Sequence, residues 1–432
     1  MERQNSSYRW VVLACILLDY FLIVIQRTAP GLISDKLMTD FHVTAATIGV
    51  LASIQFLAYA GLQIPVGILS DRYGPNGFLI LGTLLNGFGT LLYSLAAHES
   101  ILLIARLLVG IGDATIWINV VLILGNWFRA KEFVKLIGLA GVSGSLGFLV
   151  ATAPFSEWIA MAGWRVPFLT SGIVLILTSG LLFYVLVWNL KRRFPEMSGS
   201  HSAAAADAMV KKKRDKVMTV LRRILGNRQS WATFLCHFGL VGTYVGFIGS
   251  WAVPYGMNVY GMSRSGASGL AMAGLIGALV GGPLATLLAS RLPSMKRPYA
   301  IVHAVVFLSW MAIYLWGGKP PLVMATLLFV LIGFGNGSSA LTFAVVRDSF
   351  DIREVGVASG FANTGGFLSA ILLPSLFGRV LDHLAGSGTI TGYHQGFLIP
   401  ALFALVGLAG ALLLREKVDE NERGEEGTVP SK

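Results

Sequence analysis

Apolar runs of about twenty residues, the length a helix needs to cross hydrocarbon, recur at roughly 10–30, 46–69, 77–97, 101–126, 135–160 and 166–189. A polar stretch over 190–230 interrupts them, and six more follow at 231–255, 266–290, 298–317, 321–346, 355–379 and 393–414. Backbone polar groups go unpaired in lipid unless a helix or a closed barrel satisfies them, and runs of this length fit helices. The pattern predicts an all-α integral membrane protein with twelve transmembrane helices in two pseudo-symmetric sets of six. The expected division is an N-terminal half over 1–190, a cytoplasmic linker over 191–230, a C-terminal half over 231–414 and a cytoplasmic tail over 415–432. The linker carries Ser198-Gly199-Ser200 and then Lys211-Lys212-Lys213-Arg214. It reads as a disordered start followed by a basic, interfacial helix, and the mixed-charge tail reads as disordered.

Composition sharpens this picture. Of the residues, 55% are hydrophobic and 13% charged, against about 25% charged in soluble domains. The 51 glycines predict close helix packing through small residues. Cys15 and Cys236 lie in separate apolar runs and imply neither a disulfide framework nor a metal cluster. The first apolar run has no small-residue cleavage pattern and reads as a retained helix. The net charge of +11 is distributed by side. With the N-terminus in the cytoplasm, 26 of the 33 Lys and Arg residues fall on that side and 5 opposite, leaving Arg27 and Arg106 within the membrane. Basic residues retained on the inner side set membrane topology. The expected partner of this charge is therefore the lipid bilayer rather than nucleic acid. Both termini are expected in the cytoplasm, and the chain in the cytoplasmic (inner) membrane.

The two sets of six resemble each other. Val109-Gly110-Ile111-Gly112-Asp113 matches Ile332-Gly333-Phe334-Gly335-Asn336, and Leu69-Ser70-Asp71-Arg72 has a degenerate counterpart in Leu288-Ala289-Ser290-Arg291. Matches in the same order and in corresponding helices indicate duplication. Repeated halves meeting around a midplane site are the architecture of a secondary transporter.

Charges in hydrocarbon cost at least about 2.5–3.5 kcal/mol each and persist where they face a cavity or a partner. Four fall in the first half, Asp19 and Arg27 in helix 1 and Arg106 and Asp113 in helix 4. The second half offers only His237, His303, Asn336 and Asn363. Arg106 and Asp113 are two turns apart and share a face. They read as a titratable carboxylate answering to an arginine, or as a buried pair that pins helix 4. Arg27 reads as an anion site, or as a basic side chain snorkelling to the interface. Asp19 reads as a second titratable group or a packing carboxylate. Tyr20, Tyr59, Trp117, Tyr244 and Trp251 either line a cavity or face lipid and neighbours. In helix 5, Gly138, Gly141, Gly144 and Gly147 leave a stripe for tight, sliding packing.

Between helices 2 and 3 stands Gly67-Ile68-Leu69-Ser70-Asp71-Arg72-Tyr73-Gly74. It resembles the G-x-L-x-D-R-x-G-R-[KR] loop of the major facilitator superfamily, departing from it at Pro75-Asn76-Gly77. Gly163-Trp164-Arg165-Val166-Pro167-Phe168 resembles that superfamily's G-W-R-x-x-F start of helix 6. Arg106-Leu107-Leu108-Val109-Gly110-Ile111-Gly112-Asp113 is similar to the R-x-x-x-G-x-x-[ED] stretch of the anion:cation symporter family, whose members include sugar-acid transporters. That resemblance implies a proton site at Asp113 coupled to Arg106, and an arginine late in helix 1, here Arg27, for the substrate carboxylate. Gln26 stands where the family often has Asp.

The expected function is secondary active transport by alternating access, as proton-coupled symport of a small organic anion. Substrate-binding candidates are Arg27, Tyr59, Tyr244 and Asn336. Those for proton coupling are Asp113, Arg106 and Asp19. Gly67, Asp71, Arg72 and Gly74 are expected to form a gate that clamps the cytoplasmic ends of the halves. Efflux of a hydrophobic or cationic compound and a non-transporting membrane sensor are the alternatives. No phosphate loop, metal-ligand cluster or nucleophile elbow appears. An enzyme is therefore not expected, no cofactor is implied, and the chain is expected to act as a monomer on a carboxylate and protons.

Overall fold

The computed structural model describes residues 6–28, 33–43, 45–193, 217–292 and 294–415. The first half contains α1 (Tyr8–Thr28), a short α2 (Ser34–Phe41), α3 (Ala45–Tyr73), α4 (Pro75–Ser94), α5 (Glu99–Trp127), α6 (Ala130–Ala162) and α7 (Arg165–Phe183). The linker contributes α8 (Val217–Gly226). The second half contains α9 (Arg228–His237), α10 (Ala252–Tyr260), α11 (Arg264–Arg291), α12 (Lys296–Leu315), α13 (Leu322–Ser338), α14 (Ala340–Ser349), α15 (Val355–His383), α16 (Thr389–Gly396) and α17 (Leu398–Leu413). Among the described residues, eleven stretches of these helices are long and apolar enough to cross a membrane. The other expected span, 46–69, lies within α3, which is 29 residues long.

Two expected spans are less regular than their hydropathy. The run over 231–255 continues from α9 through a π-type turn at Phe238–Gly242 and stops at Ile248. The chain turns at Gly249 and Ser250 before α10. Pro254 sits in the first turn of α10, where a missing N–H goes unmissed. The run over 321–346 is broken at Ser339 between α13 and α14. The basic run Lys211–Arg214 and the tail beyond Arg415 lie outside the described residues. The linker segment that is described, α8, buries Ile224 in a core cluster built from both halves and leaves Met218 and Leu225 exposed.

The repeat seen in the sequence reappears as packing. Gly110 abuts the Gln55 backbone of α3, and its counterpart Gly333 abuts Gly274 of α11. Gly112 abuts Asn86 and Gly82 of α4, and its counterpart Gly335 abuts Val306 of α12. Matched glycines thus meet matched neighbours, helix 4 against 2 and 3 and helix 10 against 8 and 9. The glycine stripe of α6 divides between two partners. Gly138 meets Thr286 and Gly282 of α11 in the other half, whereas Gly144 and Gly147 meet Tyr20 and Phe21 of α1.

The halves touch most closely at one end, the arginine-rich one. Asp71 Oδ1 and Oδ2 accept from the backbone N–H groups of Gly356 and Val357, each at 2.8 Å, in the first turn of α15. A helix N-terminus presents free donors and a positive dipole end to such a carboxylate. Gly67 is required there, because a Cβ would run into the Gly356 carbonyl. Gly74, at φ +90°, lets the chain leave α3 and enter α4 with Pro75 in its first turn. Arg347 lies over the Phe133 ring at 5.0 Å and donates to the Phe128 carbonyl at 3.4 Å. Arg223 of α8 pairs with Glu354 at 2.7 Å, just ahead of α15.

Candidate functional site

Hydrocarbon-buried polar groups collect where α1, α3 and α5 meet. Arg27 Nε lies 3.0 Å from Asp113 Oδ2, with the aspartate side chain 1% exposed. Gln55 Nε2 donates to the same oxygen at 2.8 Å. The Arg27 guanidinium stands 5.1 Å from the centre of the Tyr59 ring, within cation–π reach. Several atoms around this pair are buried with no partner: Asp113 Oδ1, Arg27 Nη2, Arg106 Nη1, and the Oε1 atoms of Gln26 and Gln55. Buried polar groups are ordinarily satisfied, and a cluster of unsatisfied ones needs a reason. Here the set offers two cationic donors, two neutral amide acceptors and the second oxygen of the carboxylate, which suits an anion that also carries hydroxyl groups.

This geometry changes one expected pairing. Arg106 shares a face of α5 with Asp113, yet it forms no ion pair with it. Its guanidinium lies 5.8 Å from the Tyr93 ring instead. Two helical turns, about 10 Å of rise, separate them, too far for side chains that do not bend toward each other. The counter-charge comes from α1. Arg27 is accordingly turned inward rather than snorkelling to the interface.

The site continues across to the second half. Asn363 of α15 donates from Nδ2 to Tyr59 Oη at 3.2 Å and to Gln63 Oε1 at 2.9 Å. Its Oδ1 is 3.1 Å from His237 Nε2. His237 Nδ1 in turn lies 3.4 Å from Thr342 Oγ1, which is 2.6 Å from Tyr299 Oη. Phe367 packs on Tyr59 at 4.1 Å between ring centres.

Residues 12–374 match the sequence profile of the Major Facilitator Superfamily. The chain belongs to that superfamily. Among its relatives is the Probable galactarate/D-glucarate transporter GudP of Bacillus subtilis (strain 168), 23% identical, with 97% of this chain and 96% of the relative covered. Another is the Probable sulfoacetate transporter SauU of Cupriavidus necator, also 23% identical, with 95% of each chain covered. Of solved structures, the superfamily transporter FucP in the outward conformation superposes with a TM-score of 0.69 at 16% identity, covering 94% of this chain and 100% of that one. The fold is thus the major facilitator fold, and the protein is an integral membrane secondary transporter.

Within that fold the remaining sequence candidates scatter. Asp19 is fully buried near α4, with Oδ1 2.9 Å from the Thr83 hydroxyl. No described contact joins it to Asp113. Tyr244 is buried in the second-half core beside Gly274. Asn336 is half-buried and makes no side-chain hydrogen bond among the described residues. Of the loop residues, Asp71 holds the α15 N-terminus, while Arg72 is half-buried with no ion pair among the described residues. A cavity of about 250 Å³ bounded by α1, α6 and α7, with Leu22, Val150, Phe155 and Trp158 in its wall, is apolar and separate from the ion pair. Sequence reasoning passed over Gln55 and Gln63. Their signal was present, since they flank Tyr59 at four residues either side and so lie near it on one strip of α3.

Proposed function

We propose that the protein is a proton-coupled symporter of a small organic anion carrying a carboxylate. The observation that carries this reading is the buried ion pair of Arg27 and Asp113, in which Arg27 is the only cation within ion-pairing distance of Asp113 among the described residues. A substrate carboxylate that takes Arg27 deprives Asp113 of its counter-charge. A buried carboxylate without a cation is strongly destabilised, so Asp113 binds a proton as the anion arrives. For a monoanion the loaded site, Arg27⁺ with the substrate and neutral Asp113, has the same net charge as the empty one, and for a dianion the extra negative charge is offset by Arg106⁺. Reorientation in either state then moves no additional charge through hydrocarbon. Arg106 keeps the site net positive and favours anions. The names of the relatives, for galactarate, glucarate and sulfoacetate, are compatible with such a substrate. Efflux of a cation fits the site poorly, because Arg27 already neutralises Asp113 and Arg106 adds a second positive charge two turns away on the same helix.

The arginine-rich end, with both termini, is assigned to the cytoplasm of the inner membrane on the charge distribution. With that end clamped, alternating access would give substrate its entry from the opposite side.

The test is transport into proteoliposomes preloaded at high pH and diluted into low pH with labelled galactarate or sulfoacetate. The wild type should accumulate one of them against its gradient. Asp113→Asn, a stand-in for the protonated acid, should exchange substrate across the membrane and fail to accumulate it. Accumulation by Asp113→Asn driven by the pH gradient alone would remove Asp113 from coupling and leave Asp19 as the next carboxylate to test.

A further inference from the structure

The helix that receives the charge state of Asp113 is the one that carries the clamp. Along α3, Gln55, Tyr59, Gln63, Gly67 and Asp71 recur every four residues. Each makes a defined contact. Gln55 holds Asp113, Tyr59 and Gln63 bind Asn363, Gly67 abuts Gly356, and Asp71 binds the N–H groups of Gly356 and Val357. Four of the five contacts reach α15 in the other half. The fifth, from Gln55, reaches the ion pair.

Gln55 differs from Arg27 in what it can do when Asp113 gains a proton. Arg27 has donors only. The Gln55 amide has both functions, and in this structure Nε2–H faces Asp113 while Oε1 is buried with no partner. We propose that Gln55 is the positioning residue through which the protonation of Asp113 reaches α3. With Asp113 ionised, Nε2–H donates to the carboxylate. With Asp113 protonated, the amide turns and Oε1 accepts from the new O–H. The charged and titratable groups around this contact are Arg27 and Tyr20 from α1 and Tyr59 one turn along α3, with Arg106 two turns away on α5 and turned toward Tyr93. The amide reversal changes the hydrogen bond that fixes α3 against α5. Because α3 ends in the clamp, the same event bears on Asp71 and Gly67.

This inference rests on the symport reading, and its test separates the two. Initial uptake is measured against external pH for the wild type, Gln55→Met and Gln55→Glu, each normalised to its own maximum. Methionine keeps the volume and removes both functions, the donor to the ionised carboxylate and the acceptor for the protonated acid, of which the charge-assisted bond to the carboxylate is the stronger. The midpoint of acid-stimulated uptake should move to higher pH by about one unit, and further for glutamate, which places a second carboxyl beside Asp113. In parallel, Val357→Cys, whose side chain is buried at the α3–α15 contact, is introduced into each background. Cys15 and Cys236 are buried and give a low background. Labelling of the new cysteine by a hydrophilic maleimide should rise on acidification with substrate present, and its midpoint should move with that of uptake.

Unmoved midpoints in both variants would overturn the role of Gln55 while leaving symport intact. A shifted uptake midpoint with unmoved labelling would overturn the link to the clamp. Failure of both variants to reach the membrane would also count against the proposal, since Gln55 would then be a packing residue. Wild-type uptake indifferent to pH would instead refute the symport reading itself.

Discussion

Arg27 shows how far a single residue can be read before its partner is known. The resemblance to the anion:cation symporters made it a candidate for the substrate carboxylate, with snorkelling as the alternative, but its pairing with Asp113, 86 positions away, is a property of tertiary contact. Arg106 shows the converse. Spacing placed it on the same helical face as Asp113, yet side-chain direction took it to Tyr93. Shared faces are legible from period alone, and ion pairs are not, because they depend on which neighbouring helix comes closest. The buried pair ties Arg27 to stability as well as to the proposed binding of substrate. Arg27→Ala strands the Asp113 carboxylate, at a cost of about 3–5 kcal/mol, and should lower the melting temperature of the purified protein. The double variant Arg27→Ala/Asp113→Asn removes both charges and should recover the melting temperature without recovering uptake. Arg27→Lys supplies charge without the planar fork, and its uptake should fall at least about tenfold. Wild-type uptake in Arg27→Ala would remove Arg27 from the substrate site.

At the scale of the element, α3 is the helix on which sequence and structure agree most. The glycine-flanked Asp71 was legible because a charged turn between two apolar runs must sit at the membrane surface. Gly67 was legible as a point of close approach, though only the fold identifies Gly356 as what approaches. Tyr59 was a candidate from the sequence, but the amides Gln55 and Gln63 on either side of it escaped notice because they sit in a run read for its hydropathy, where amides lower the score and carry no charge to flag them. The matched glycines of α5 and α13 were visible as a repeat, and their packing against corresponding helices supplies its physical reason. Gly67 also gives the sharpest test of the clamp. In Gly67→Ala the added methyl meets backbone atoms of Gly356 and Val357, which cannot move aside as a side-chain tip can. Overpacking of this kind costs about 1–3 kcal/mol, and it falls only on the conformation in which α3 and α15 touch. The clamped state should lose about tenfold in population. The affinity for substrate offered from the opposite side should fall in proportion in equilibrium binding to membrane vesicles sealed with that side outward. Unchanged affinity would mean that the α3–α15 contact does not set the conformational balance.

Across the whole molecule, the two-by-six architecture was legible because bilayer thickness fixes span length and the two halves repeat the same glycine pattern. The conformation was not, since both arrangements of a rocking carrier bury the same apolar runs. Only the contacts of Asp71, Gly67, Gly138 and Arg347 show that the arginine-rich end is the closed one. Rocking of two stiff halves about a midplane site requires that one end open as the other closes. Pairs of spin labels at exposed positions report the two ends separately. Tyr73 and Ile352, 68% and 52% exposed, flank the clamp from either half. Met161, at the far end of α6, and Met257, in α10, lie toward the opposite end and are 86% and 41% exposed. Adding substrate at low pH should lengthen the Tyr73–Ile352 distance and shorten the Met161–Met257 distance in the same population of molecules. A cysteine at position 73 also reports sidedness, and should resist a membrane-impermeant maleimide applied to intact cells. Labelling of that cysteine from outside would invert the orientation. Two distances that lengthen together, or an opposite-end distance that stays fixed while the clamp opens, would mean that the halves do not rock as rigid bodies. The four-residue strip on α3 would then act by local bending, with Pro65 inside that helix as the place to look for it.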